Sequence, residues 1–176
     1  MKTLSILTLV AAASAAQAYT LDVNVGFSRP DNYDNVSVIG LGIGTYLSSE
    51  YHLGLNFGRK NVVNTVTFVD AKATSATVDL TYSLSQGGIR PFVGLGVGGV
   101  QFSGASIYTS SALATKLFAG VSFPVSQNVD FSLTLQNSKF YSVQELAAGP
   151  KINITSWDAL RSEEHTSELQ SQFRIS

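Results

Sequence analysis

Most of this chain follows a two-residue period, and one of the two faces that the period creates carries no charge. Tyr19, Leu21, Val23, Val25 and Phe27 alternate with Thr20, Asp22, Asn24, Gly26 and Ser28. Ile39, Leu41, Ile43 and Leu47 alternate with Gly40, Gly42, Gly44 and Tyr46, and Tyr51, Leu53, Leu55 and Phe57 with His52, Gly54, Asn56 and Gly58. Four more runs repeat the pattern over 76–84, 90–98, 116–123 and 129–136. Side chains alternate across a strand and never across a helix, so these segments are extended. No stretch of the interior holds the roughly 18 to 20 unbroken apolar residues of a membrane helix, so a chain of this kind crosses a bilayer only as a closed barrel.

Connection lengths alternate as well. Long ones are expected at 29–35, 59–74, 103–110 and about 142–154, and short ones at Ser48-Ser49, 85–88 and 124–127. Short turns on one side and longer loops on the other are the rhythm of an outer-membrane barrel, with the short turns in the periplasm. A soluble up-and-down barrel would share the alternation, so composition decides between the two. Only 13% of the 176 residues are charged, about half the usual share of near 25% in soluble domains. The polar face is mostly Gly, Ser, Thr and Asn, which suits a crowded lumen better than bulk water. Ten glycines lie on it (26, 40, 42, 44, 54, 58, 94, 96, 98 and 120). The aromatics of the aliphatic face, Tyr19, Phe27, Tyr51, Phe57, Tyr82, Phe123 and Phe131, gather near strand ends, as interfacial girdles require.

Neither terminus reads as part of this pattern. Residues 1–18 combine Lys2, an apolar run and Ala16-Gln17-Ala18, the form of a secretory signal peptide cleaved before Tyr19. Residues 161–176 match, in frame, the translation of a common sequencing-library adapter: Arg161-Ser-Glu-Glu-His-Thr-Ser-Glu-Leu-Gln-Ser171 covers eleven consecutive codons. The expected organisation is therefore a signal peptide at 1–18, a barrel at 19–160 and an adapter-derived, unfolded segment at 161–176. The expected fold is all-β, an eight-stranded antiparallel up-and-down transmembrane barrel whose eighth strand is truncated after Leu160.

Candidate chemistry is sparse. The chain has no cysteine, which removes disulfides, thiolate metal sites and cysteine nucleophiles, and its net charge of −1 argues against a nucleic-acid binder. Gly94-Leu-Gly96-Val-Gly98-Gly99 has the glycine spacing of a dinucleotide loop, but Val100-Gln101-Phe102 continues a strand where that motif needs a helix. His52 is followed by Leu53-Gly54, and nothing places a nucleophile beside it. Asp22, His52, Asp79, Arg90, Lys116 and Asp130 are instead expected to form a polar network inside the barrel, with Lys116 paired to one of the aspartates. No catalytic residue, cofactor or metal is expected.

The signal peptide, Arg90-Pro-Phe-Val-Gly-Leu-Gly-Val-Gly98 and Gly120-Val-Ser-Phe-Pro-Val125 together resemble the small outer-membrane barrel superfamily, the porin-family group that includes opacity proteins and the barrel of OmpA-like proteins. That resemblance implies a non-enzymatic protein of a Gram-negative outer membrane, structural or adhesion-like, acting through its external loops. It implies outer-membrane lipid and lipopolysaccharide as surroundings, the barrel assembly machinery as reader of a terminal strand, and a host or surface ligand at the loops. A small porin or hydrophobic-ligand conduit, and an outer-membrane lipid-modifying enzyme, are alternatives on the same scaffold.

Overall fold

The computed structural model describes residues 19–31, 34–63, 70–85, 88–104, 111–144 and 151–166; the signal-peptide assignment and residues 167–176 lie outside them. Among the described residues eight strands follow one another: β1 (Tyr19–Pro30), β2 (Val36–Tyr46), β3 (Tyr51–Val63), β4 (Asp70–Ser83), β5 (Arg90–Ser103), β6 (Ser111–Pro124), β7 (Val129–Gln144) and β8 (Lys151–Thr166). Each pairs antiparallel with its neighbours, and β8 pairs with β1, so the sheet closes. Closure leaves no sheet edge, the condition for placing strands in hydrocarbon.

The hydrogen-bond registers fix the barrel's geometry. From Pro91 the ladder passes through Val121, Leu133, Arg161, Val25, Ile39, Arg59 and Thr74 and returns to β5 at Gln101, ten residues from where it began. A stagger of that size on eight strands inclines them by about 35–45° and leaves an interior that side chains can fill.

The alternation sorts side chains as expected through the middle of the barrel. Leu21, Val23, Val25, Ile39, Leu41, Ile43, Leu55, Val78, Leu80, Leu95, Val97, Leu117, Leu133 and Leu135 all point outward and are exposed, which only a nonaqueous surrounding makes favourable. Leu117 lies in this belt at 65% exposure. Replacing it with arginine is expected to cost about 2–4 kcal/mol in bilayers, as near-midplane arginines do. Urea unfolding of the vesicle-inserted protein measures this, and a change within the error of the titration would refute the lipid-facing assignment.

Two expectations need correction. The loops are shorter than the sequence suggested, because β3 runs to Val63, β4 starts at Asp70, β7 reaches Gln144 and β8 starts at Lys151. Polar residues such as Arg59-Lys60-Asn61, which look like a loop, continue a ladder in which Arg59 pairs with Thr74. The eighth strand does not stop at Leu160 either. Arg161–Thr166 extends it between β7 and β1, so these six residues are not unfolded. The physical reason is that β1 and β7 would otherwise present open edges, and backbone pairing asks little of side-chain identity.

Candidate functional site

The functional question is what the lumen holds and what it leaves open. At the end carrying the short turns, Arg90 bonds Asp130, Tyr46 Oη donates to Glu164 Oε1 at 2.8 Å, and Thr20 Oγ1 and His52 Nε2 are hydrogen-bonded at 2.9 Å. The Tyr46 and His52 rings lie 5.0 Å apart. Above this layer, Asp79 Oδ2 accepts from Asn56 Nδ2 at 2.6 Å and pairs with Lys116 Nζ at 2.5 Å. The Lys116 ammonium also stands 5.6 Å above the Phe118 ring, which meets Phe92 edge-on. Asp79 Oδ1 and Arg90 Nε are buried without a hydrogen-bond partner, and Asp79 borders a cavity of about 180 Å³ that Asp22, Asn24 and Thr77 also line. Its volume is on the scale of a few water molecules.

A third layer involves residues that sequence reasoning missed. Lys60 Nζ donates to Ser156 Oγ at 2.7 Å, Ser28 Oγ at 3.1 Å and Asp158 Oδ1 at 3.2 Å, with 8% of the side chain exposed. Asp158, 2% exposed, also accepts from Gln136 Nε2 at 3.0 Å, Ser138 Oγ at 3.3 Å and Ser156 Oγ at 3.1 Å. An ion pair this deep holds only where both charges are fully hydrogen-bonded, and here both are. The signal was present: with β3 continued past Phe57, period two sends Gly58 and Lys60 inward. The same period on β8 turns Ser156 and Asp158 inward around Trp157.

Over this layer, at the end carrying the long loops, Ala73, Val100, Phe102, Ala114, Phe140, Val143 and Ile154 pack into an apolar cap. Phe102 and Phe140 meet edge to face at 6.0 Å, and Lys60 Nζ sits 5.2 Å from the Phe140 ring centre. A bulge between Phe140 and Val143, with Ser142 at φ 57°, turns both residues inward although they are three apart.

The expected lumen residues thus fall into two separate groups. Arg90 and Asp130 pair near the short turns, and Asp79 and Lys116 pair higher; His52 bonds a threonine and no carboxylate. Of the aromatics expected at the interfaces, Tyr51 and Tyr82 rings lie 5.0 Å apart, and Tyr19, Phe27, Tyr51 and Phe57 are exposed on the outer wall. Trp157, not among the expected set, is exposed beside Arg29 in the register. As for chemistry, no three His, Asp or Glu side chains converge as a metal set among the described residues. The histidine–carboxylate pair on the outer wall, His165 and Glu163 at 3.3 Å, faces Leu21, Val23, Val129 and Phe131 in the ladders, none of which carries a nucleophile.

This geometry, a closed eight-stranded barrel with an apolar wall and a filled lumen, defines the fold class of small outer-membrane barrels. Solved structures agree. The crystal structure of neisserial surface protein A superposes with a TM-score of 0.67 at 14% identity, over 84% of this chain and 97% of that one. The N-terminal barrel domain of OprF from Pseudomonas aeruginosa gives 0.58 at 16%, over 86% and 98%. The outer-membrane enzyme PagL gives 0.57 at 16%, over 81% and 97%. No family model and no curated protein matches the sequence.

Proposed function

We propose that this protein is a non-enzymatic barrel of the bacterial outer membrane, a rigid scaffold that presents its four longer loops at the cell surface for structural or adhesion-like contacts. The observation that carries this reading is the lumen. Three ion-paired layers and an apolar cap crowd it around a cavity of only about 180 Å³, so the barrel offers a rigid platform in place of a wide aqueous channel. Loops on a rigid scaffold are where recognition concentrates. The likeness to a surface protein supports the reading; the likeness to an enzyme of the same fold directs attention to the Thr20–His52 pair, where the imidazole bonds a hydroxyl but no carboxylate that would orient it as a base.

Its surroundings follow from the rim. Arg29, Arg59, Lys72 and Lys139 alternate with inward residues just beyond the apolar belt at the long-loop end, where phosphorylated headgroups of an outer leaflet would lie. Lipopolysaccharide is the natural neighbour for such a collar, and the barrel assembly machinery is the route of insertion.

The absence of cysteine makes the topology directly testable. Asp34→Cys, beside the loop joining β1 and β2, is expected to react with a membrane-impermeant maleimide on intact cells, whereas Ser126→Cys, in the turn joining β6 and β7, reacts only after lysis. Both side chains are exposed. Planar-bilayer recordings of the refolded protein are expected to show no stepwise conductance. Reversed labelling would overturn the surface assignment, and regular conductance steps would favour the porin alternative.

A further inference from the structure

Along β1 to β7 the outward side chains of the belt are aliphatic, aromatic, small or uncharged, without exception among the described residues. On β8 this ends abruptly. Trp157 and Ala159 fit the belt, but the next three outward positions are Arg161, Glu163 and His165. The registers place them in the apolar wall, running from its middle to the short-turn rim: Arg161 between Val25 and Leu133, Glu163 between Val23 and Phe131, His165 between Leu21 and Val129. Glu163 and His165 are each about half exposed, at 55% and 50%, and Arg161 lies 4.7 Å over the Phe131 ring. Charges on the lipid face are disfavoured, most strongly near midplane where Arg161 and Glu163 lie, and these three occupy one continuous stripe.

We infer that this stripe is foreign to the barrel: in the natural protein, positions 161, 163 and 165 carry apolar side chains, and the residues present from Arg161 onward derive from library sequence. Backbone pairing admits the segment, and inside the lumen Ser162 bonds Ser132 and Glu164 bonds Tyr46, although Glu164 stands between two further inward carboxylates, Asp22 and Asp130, in the ladders. The face toward lipid rejects it outright. A location read from codons and a location read from solvation therefore meet at the same residue.

The inference rests on the membrane reading, so its test separates the two. The chain and the variant R161L/E163V/H165F are refolded into vesicles of lipids brominated on their acyl chains, where Trp157, the sole tryptophan, reports insertion by quenching. The variant is expected to raise the ratio of inserted to uninserted protein at least tenfold. Equal insertion of the two would overturn the inference and leave the membrane reading standing; failure of both to insert would overturn both. Reading the gene through codon 165 from intact genomic DNA supplies the second arm. Apolar codons at 161, 163 and 165 are expected, and Arg, Glu and His codons there would overturn the inference.

Discussion

Asp158→Ala is expected to destabilise the inserted barrel by about 3–5 kcal/mol, the cost of leaving a buried cation without its partner. The lysine cannot turn to water, because Phe140 lies above it and the Ser28 and Ser156 hydroxyls hold it from the sides. Gln136, Ser138 and Ser156 lose their shared acceptor in the same step. The double variant Lys60→Met/Asp158→Leu removes both charges, and most of the lost stability is expected to return, since apolar replacements of buried pairs are often neutral or stabilising. Urea titration followed by Trp157 fluorescence distinguishes the two. A single variant within about 1 kcal/mol of the parent, on the scale of exposed pairs, would show that water reaches this layer.

The second large effect contrasts neighbouring glycines on opposite faces of β5. A Cβ added at Gly98 would collide with the Ala76 carbonyl and Thr77 Cα, both backbone atoms of the paired strand. At Gly99 the nearest atom is the Ala112 carbonyl oxygen at 3.8 Å, an ordinary contact. Gly98→Val is expected to cost on the order of 3 kcal/mol, at the upper end of overpacking, and to abolish barrel yield in refolding. Gly99→Val is expected to stay within about 0.5 kcal/mol of the parent, as substitutions away from such contacts do. Heat-modifiable gel migration, comparing boiled and unboiled samples, reads the folded fraction of each. Equal yields would refute the crowding at Gly98.

The eight strands and their closure were legible because period two is a local signal and a charge-free face repeats in seven strands. Inward placement of Asp79, Arg90, Lys116 and Asp130 followed from the same count. What the pattern did not reveal was where the strands leave the membrane. Below that level apolar residues face out; above it they face in, as with Ala73, Val100, Phe102 and Phe140, while Lys72, Thr74, Gln101 and Ser103 face out. A polar run such as Arg59-Lys60-Asn61 then looks like a loop although its backbone is paired, and Lys60 was missed for that reason. Asp158 was missed because the signals around it, Trp157 outside and Ser156 inside, sit on a strand flanked by charged residues that break the alternation. The Ser142 bulge has no local sequence signature, being a tertiary solution to filling the cap.

The inversion between Val97 and Val100 has a mechanical consequence. Pushed outward by two residues, β5 would carry Val97 from hydrocarbon into water; pulled inward by two, it would bring Gln101 from water toward hydrocarbon. The other long strands repeat this opposition around the circumference. The vertical position of the barrel is thus held by a restoring force that rises in both directions and needs no anchor beyond the chain itself. Loops carried on it would stand at a fixed height above the lipid surface.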